Sequence, residues 1–228
     1  MRTAIRQFLG LLRWPIGLMA LLGLPAALLT LVRTVQPLLH GKWLPFWVGL
    51  GVVFSLWALR WHRSRWARFI TTIEHESLHA LVGMLTLIPI RELKVREDGS
   101  GHVLFEPPGH WLLYLAPYFI PLLLLAEIGV VKLIGVEARL EMGLLGMLLG
   151  LECLGHVRQL HPRQTDFRMA GRAFTLAFLP TAFILAYTAA IAAMTQGGLS
   201  AILPVMVTWA SSTWADIHTW GLWAAGLF

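Results

Sequence analysis

Apolar residues in this chain fall into long runs separated by short basic or glycine-bearing breaks. The runs cover Trp14–Val32, Trp43–Trp61, Trp66–Ile88, Trp111–Val131, Leu140–Val157 and Ala173–Met194, with a weaker one at Leu199–Trp220. About 20 apolar residues cross a bilayer as a helix, so the pattern predicts an all-α polytopic membrane protein with about six transmembrane helices. The clearest polar insert is Arg91–Gly109. Within it Leu93, Val95, Val103 and Phe105 flank Asp98-Gly99-Ser100-Gly101, which predicts a small β-hairpin around a glycine turn. The chain reads as a single integral membrane domain. It has two N-terminal spans (14–61), a core with the hairpin (65–194), and a Trp-rich interfacial or partly spanning tail (195–228).

Composition supports this reading. Of the 228 residues, 57% are apolar and 13% charged, against about 25% charged in soluble domains. The net charge of +6 does not imply nucleic acid as a partner. The basic residues cluster at the ends of apolar runs, where the positive-inside rule accounts for them and makes the lipid bilayer the partner. Arg2, Arg6 and Arg13 precede the first run, which reads as an uncleaved span. Arg60, Arg63, Arg65 and Arg68 lie between the second and third, whereas only Arg33 and Lys42 lie between the first and second. This predicts a cytoplasmic N-terminus in a bacterial inner membrane. Simple counting then puts the basic segment Arg158–Arg172 on the wrong side. A re-entrant or partly spanning Leu140–Val157 corrects that; a full span whose glycines pack closely is the alternative. Cys153 is the one cysteine, so an internal disulfide and a thiolate metal site are both excluded.

The chemistry concentrates in His75-Glu76-Ser77-Leu78-His79. On a helix, the two imidazoles fall on one face and can share a zinc ion, with Glu76 placed to act as general base on water held there. A third protein ligand is needed to leave one position open. The candidates are His156, His161 and Asp166. Glu74 points about 100° away from His75 and reads as a supporting group. A metal-free buried pair is the plain alternative, but ionisable residues within a span are costly and are usually functional. Asp216 and His218, among the tail tryptophans, read as part of an interfacial helix.

The stretch Glu74–Ala80, the hairpin after it and a later aspartate near another span together resemble the site-2-protease-type membrane zinc metallopeptidases. The likeness is to their compact branch without a PDZ domain and covers roughly 65–194. It implies zinc (Zn2+) on His75, His79 and Asp166, Glu76 as catalytic base, and hydrolysis of membrane-spanning or membrane-adjacent protein substrates. Asp166 sits in Gln164-Thr165-Asp166-Phe167 rather than in the family's usual aspartate motif. The family's asparagine near the scissile carbonyl has no counterpart, since this chain contains no asparagine. Tyr118 can take the oxyanion role; the alternative is an interfacial anchor between two helix-kinking prolines. Glu74, His156 and His161 are further supporting candidates. The strands bearing Leu93, Val95, Val103 and Phe105 can hold an extended substrate by β-addition, or can simply support the membrane surface. The second functional reading is a non-proteolytic membrane metal-binding protein, or a pseudoprotease that holds partner helices. Oligomeric state is not legible.

Overall fold

The structure, a computed structural model, describes residues 1–60, 63–106, 108–196 and 198–226. It is 79% helical. The helices are α1 (Arg2–Leu22), α2 (Leu24–Val35), α3 (Leu44–Ala58) and α4 (Arg65–Leu85), then α5 (Trp111–Leu115), α6 (Leu122–Ile134), α7 (Ala138–Gln159), α8 (Thr165–Ala170), α9 (Arg172–Thr195) and α10 (Ile202–Ala224). Strands β1 (Ile90–Val95) and β2 (Gly101–Phe105) follow α4 as an antiparallel pair.

Among the described residues, α1, α7 and α9 are the helices long and apolar enough to cross a membrane, so about six such spans is an overestimate. Each shortfall has a local cause. The first predicted run is divided at Gly23, where Pro25 opens α2 and the Trp209 indole donates to the Gly23 carbonyl at 2.9 Å. α3 has 15 residues, about 22 Å of helix against a hydrocarbon core of about 30 Å; its predicted end, Trp61, lies outside the described residues. α4 is long enough but carries Arg65, Arg68, Glu74 and Glu76. The run Trp111–Val131 is not one helix: around Pro117 the chain makes a short 3-10 turn, Ala116–Tyr118, and α6 starts after Pro121. Proline lacks an amide hydrogen and clashes with the preceding turn. The tail forms α10; Gly197, Leu227 and Phe228, at its limits, lie outside the described residues.

α7 is continuous over 22 residues rather than a short re-entrant segment. Its glycines serve packing. A Cβ added at Gly146 would sit 2.0 Å from the Phe46 carbonyl oxygen, and one at Gly49 would collide with the Gly143 carbonyl. Only glycine lets the α3 and α7 backbones approach that closely. Phe46, Leu124, Leu145, Leu149, Tyr187 and Ile191 fill one core around this contact. A second core joins α1, α5, α8 and α9 through Tyr118, Phe167, Phe174 and Phe178.

The basic segments meet without re-entrance. α3 and α7 run parallel, with Phe46 against Gly146 and Val53 against Gly150, so both C-termini reach one end of the bundle. α9 starts from the loop after α7, and α1 runs parallel to α9: Arg13 lies against Gly171, and Thr181 bonds the Ala20 carbonyl. Arg13, the α3–α4 connection and the loop 160–171 therefore share that end. The reason is that α4, the hairpin and the broken helix after it make one net passage between the ends where two spans were predicted.

Candidate metal centre

α4 is built to start where it does. Ser64 caps it, its hydroxyl accepting from the Ala67 amide at 3.1 Å. A spacing of four positions puts the His75 and His79 rings on one face, edge to face, with centroids 4.9 Å apart. The third group comes from α8. Asp166 is in the first turn of that helix, and its Oδ2 lies 3.6 Å from His75 Nε2 and 3.5 Å from His79 Nε2. The two Nε2 atoms are 3.2 Å apart.

Hydrogen bonds behind the rings set their tautomers. His79 Nδ1 lies 2.8 Å from the Leu113 carbonyl, which can only accept, so Nδ1 carries the proton. His75 Nδ1 lies 2.7 Å from Gln159 Oε1. The Gln159 amide nitrogen donates to the Thr71 carbonyl at 3.2 Å, which turns the amide oxygen towards His75 and makes that Nδ1 the donor too. Both Nε2 lone pairs then face each other and a carboxylate oxygen with no hydrogen between them. Three acceptors at such spacing repel unless a cation or an added proton lies among them.

A tetrahedral ion with bonds of about 2.1 Å separates its ligands by about 3.4 Å. The three observed edges bracket that value. This group could hold a metal ion, and two imidazoles plus a carboxylate suit a borderline divalent cation such as zinc. Burial acts to raise the Asp166 carboxyl; with the added proton on the imidazoles, the His75 and His79 N–H groups and the Tyr118 hydroxyl outweigh it and hold the group below the usual carboxylate range.

Glu76 is buried and lines, with His75, a cavity of about 330 Å³ between α4, the hairpin and the end of α7. A Cβ on Gly101 would come within 3.0 Å of Glu76 Cγ, so a bare glycine at the start of β2 is what leaves room for that carboxylate. Thr72 donates to the Gly99 carbonyl at 2.8 Å and pins the hairpin turn onto α4. Within the turn, Asp98 accepts from the Ser100 hydroxyl and amide, which hold its carboxyl below the ordinary value. Leu93 pairs with Val103 and Val95 with Gly101; a bulge between Ile90 and Glu92 leaves Phe105 opposite Ile90.

The supporting candidates land elsewhere than expected. Tyr118 is fully buried, and its hydroxyl donates to Asp166 Oδ2 at 2.8 Å; it orients that carboxylate and is neither an interfacial anchor nor open to a substrate carbonyl. His156 bonds the Tyr187 hydroxyl through Nδ1 at 2.6 Å and stays outside the cluster. His161 is exposed, and its Nδ1 accepts from the Arg163 amide. Glu74 is buried at the α4–α7 contact beside Glu152, whose Oε1 accepts the Leu123 and Leu124 amides at the start of α6. The outer partners Gln159 and Leu113 carry no sequence signal. One is 84 residues from His75, and the other acts through its backbone.

Compared with protein-family models, curated proteins and solved structures, the chain matches none.

Proposed function

We propose that this protein is a membrane-embedded zinc metalloprotease that hydrolyses peptide bonds of membrane-spanning or membrane-adjacent proteins. The observation that carries the reading is the His75–His79–Asp166 triangle, with edges of 3.2, 3.5 and 3.6 Å, next to the buried Glu76. Two histidines and a carboxylate also serve iron. The glutamate that follows the first histidine, placed on the same cavity, favours hydrolysis instead.

A zinc ion held there would polarise the scissile carbonyl and bring the pKa of water toward neutrality. Glu76 accepts a proton from the attacking water as its oxygen bonds to the carbonyl carbon. It then delivers that proton to the amine as the C–N bond breaks. Gln159 and the Leu113 carbonyl hold the two imidazoles in the required tautomer, and Tyr118 holds Asp166. Peptide bonds within a helix are shielded, so the substrate must be extended at the site. Neither outer edge of the hairpin is paired to another strand among the described residues, which supports β-addition of that segment. The end of the bundle bearing Arg13, Arg65, Arg68, Arg158 and Arg172 faces the cytoplasm of a bacterial inner membrane. Its excess of arginine over the opposite end, which carries Arg33, Lys42, Lys132 and Arg139, supports this.

The test is Glu76→Gln in the purified full chain. Zinc content and thermal unfolding should match the wild type while cleavage of a reconstituted membrane substrate is lost. Full activity in that variant would remove Glu76 as the base. Zinc binding by a wild type that cleaves nothing would favour the non-proteolytic reading.

A further inference from the structure

The cavity in front of His75 is positively charged in a way that hydrolysis does not require. Among the described residues lining it, Glu76 is the one carboxylate, against the guanidinium groups of Arg68 and Arg158. Arg68 is on α4 seven residues before His75, two helical turns away on nearly the same face and about 10 Å along the axis. It is clamped there. A Cβ on Gly99 would fall 2.5 Å from Arg68 Cβ, so the hairpin turn rests directly on this side chain. The Arg68 Nε is buried and has no acceptor among the described residues. Arg158 comes to the same space from the last turn of α7, next to the Gln159 that orients His75. Gln164 adds an amide to the wall.

A guanidinium fork matches a carboxylate better than any other group common in proteins. An extended chain advances about 3.3 Å per residue, so 10 Å corresponds to about three residues. We propose that Arg68 and Arg158 form a carboxylate-binding subsite that selects substrates with an acidic group within about three residues of the scissile bond. This rests on the protease reading and adds a substrate class to it. The carboxylate can come from an Asp or Glu side chain or from a free chain terminus.

The probe is a matched set of short apolar peptides titrated calorimetrically into the full-length Glu76→Gln protein in detergent, so that binding is read without turnover. One peptide carries Glu about three residues from its centre, a second carries Gln there, and both end in an amide. A third has the Gln sequence with a free C-terminal carboxylate. The Glu peptide, the free-acid peptide or both should bind about tenfold more tightly than the neutral one, the scale of one charge-assisted hydrogen bond. Which of the two binds more tightly tells side chain from terminus. The advantage should weaken in high salt and disappear in Arg68→Gln/Arg158→Gln. The single Arg158→Gln variant, altered only at an exposed position, should lose part of it and guards against a misfolded double variant. Equal binding of all three peptides, or no binding of any, overturns the proposal. So does a double variant that keeps the peptide preference but loses association with phosphatidylglycerol vesicles, because the arginines would then serve lipid headgroups. The two readings fail separately. A wild type that binds the acidic peptide but cleaves nothing loses the protease assignment and keeps the subsite. A wild type that cleaves without acidic preference does the reverse.

Discussion

Replacing Gln159 with leucine should weaken metal binding without touching a ligand. The amide is half-buried and makes two hydrogen bonds, from His75 Nδ1 at 2.7 Å and to the Thr71 carbonyl at 3.2 Å. Leucine has similar bulk but neither donor nor acceptor. The His75 imidazole then loses the contact that fixes its tautomer and ring plane, and the Thr71 carbonyl loses a partner. Only the His75 bond changes on metal binding, because a cation on Nε2 polarises the Nδ1–H; a hydrogen bond of that charge-assisted kind contributes about 2 kcal/mol, equivalent to about 30-fold in affinity. That lies within the 10–100-fold range typical of residues supporting a metal ligand. The assay is competition for zinc between the purified protein and a chromophoric chelator, with thermal unfolding as a control for the fold. Gln159→Glu keeps an acceptor facing Nδ1 and should retain most of the affinity. Zinc affinity in Gln159→Leu within about twofold of wild type would refute the argument, since an effect of 2 kcal/mol is far larger.

Other expectations follow from the same geometry. Tyr118→Phe removes the hydroxyl that holds Asp166 and should cost about 1 kcal/mol of zinc binding, about fivefold by the same competition. Glu152→Leu strands the Leu123 and Leu124 amides at the start of α6. It should destabilise the fold by roughly 2–4 kcal/mol in denaturant titration in detergent, with Glu152→Gln milder. Gly146→Ala drives a methyl into the Phe46 carbonyl and should cost about 1–3 kcal/mol by separating α3 from α7, read as a lower unfolding temperature. Glu106 is held below its ordinary value of 4.5 by Arg2 and then Arg91. Its folded pKa is the lower one, so its stabilisation is present above about 4.5 and is lost as pH falls through the folded value. Glu106→Gln should therefore flatten the acid limb of stability; an unchanged acid limb would deny the Arg2–Glu106 link any role in anchoring α1.

Much of the candidate site was legible because it is local. His75, Glu76 and His79 share one face through the helical repeat alone, and the hairpin followed from a glycine turn between alternating apolar residues. Asp166 was one of three candidates by residue type and was singled out only through a resemblance, since 87 positions of chain separate it from His79 and it sits in a six-residue helix. Gln159 and the Leu113 carbonyl were not reachable, because a glutamine at a helix end and a backbone oxygen look the same in sequence whether or not an imidazole lies opposite. Tyr118 was noticed, but its partner was misjudged: sequence shows a hydroxyl, whereas only packing shows that it is spent on Asp166.

Span counting failed for a related reason. Apolar runs measure the cost of exposing side chains to water, and a residue buried against protein is as apolar as one facing lipid. Composition and periodicity therefore determined that the chain is helical, rich in apolar surface and equipped with a histidine–glutamate–histidine face. The path between the ends of the bundle, the glycine contact of α3 with α7, and the meeting of Asp166 with that face were decided by tertiary structure. Those depend on contacts between distant residues, whose energies no local pattern records.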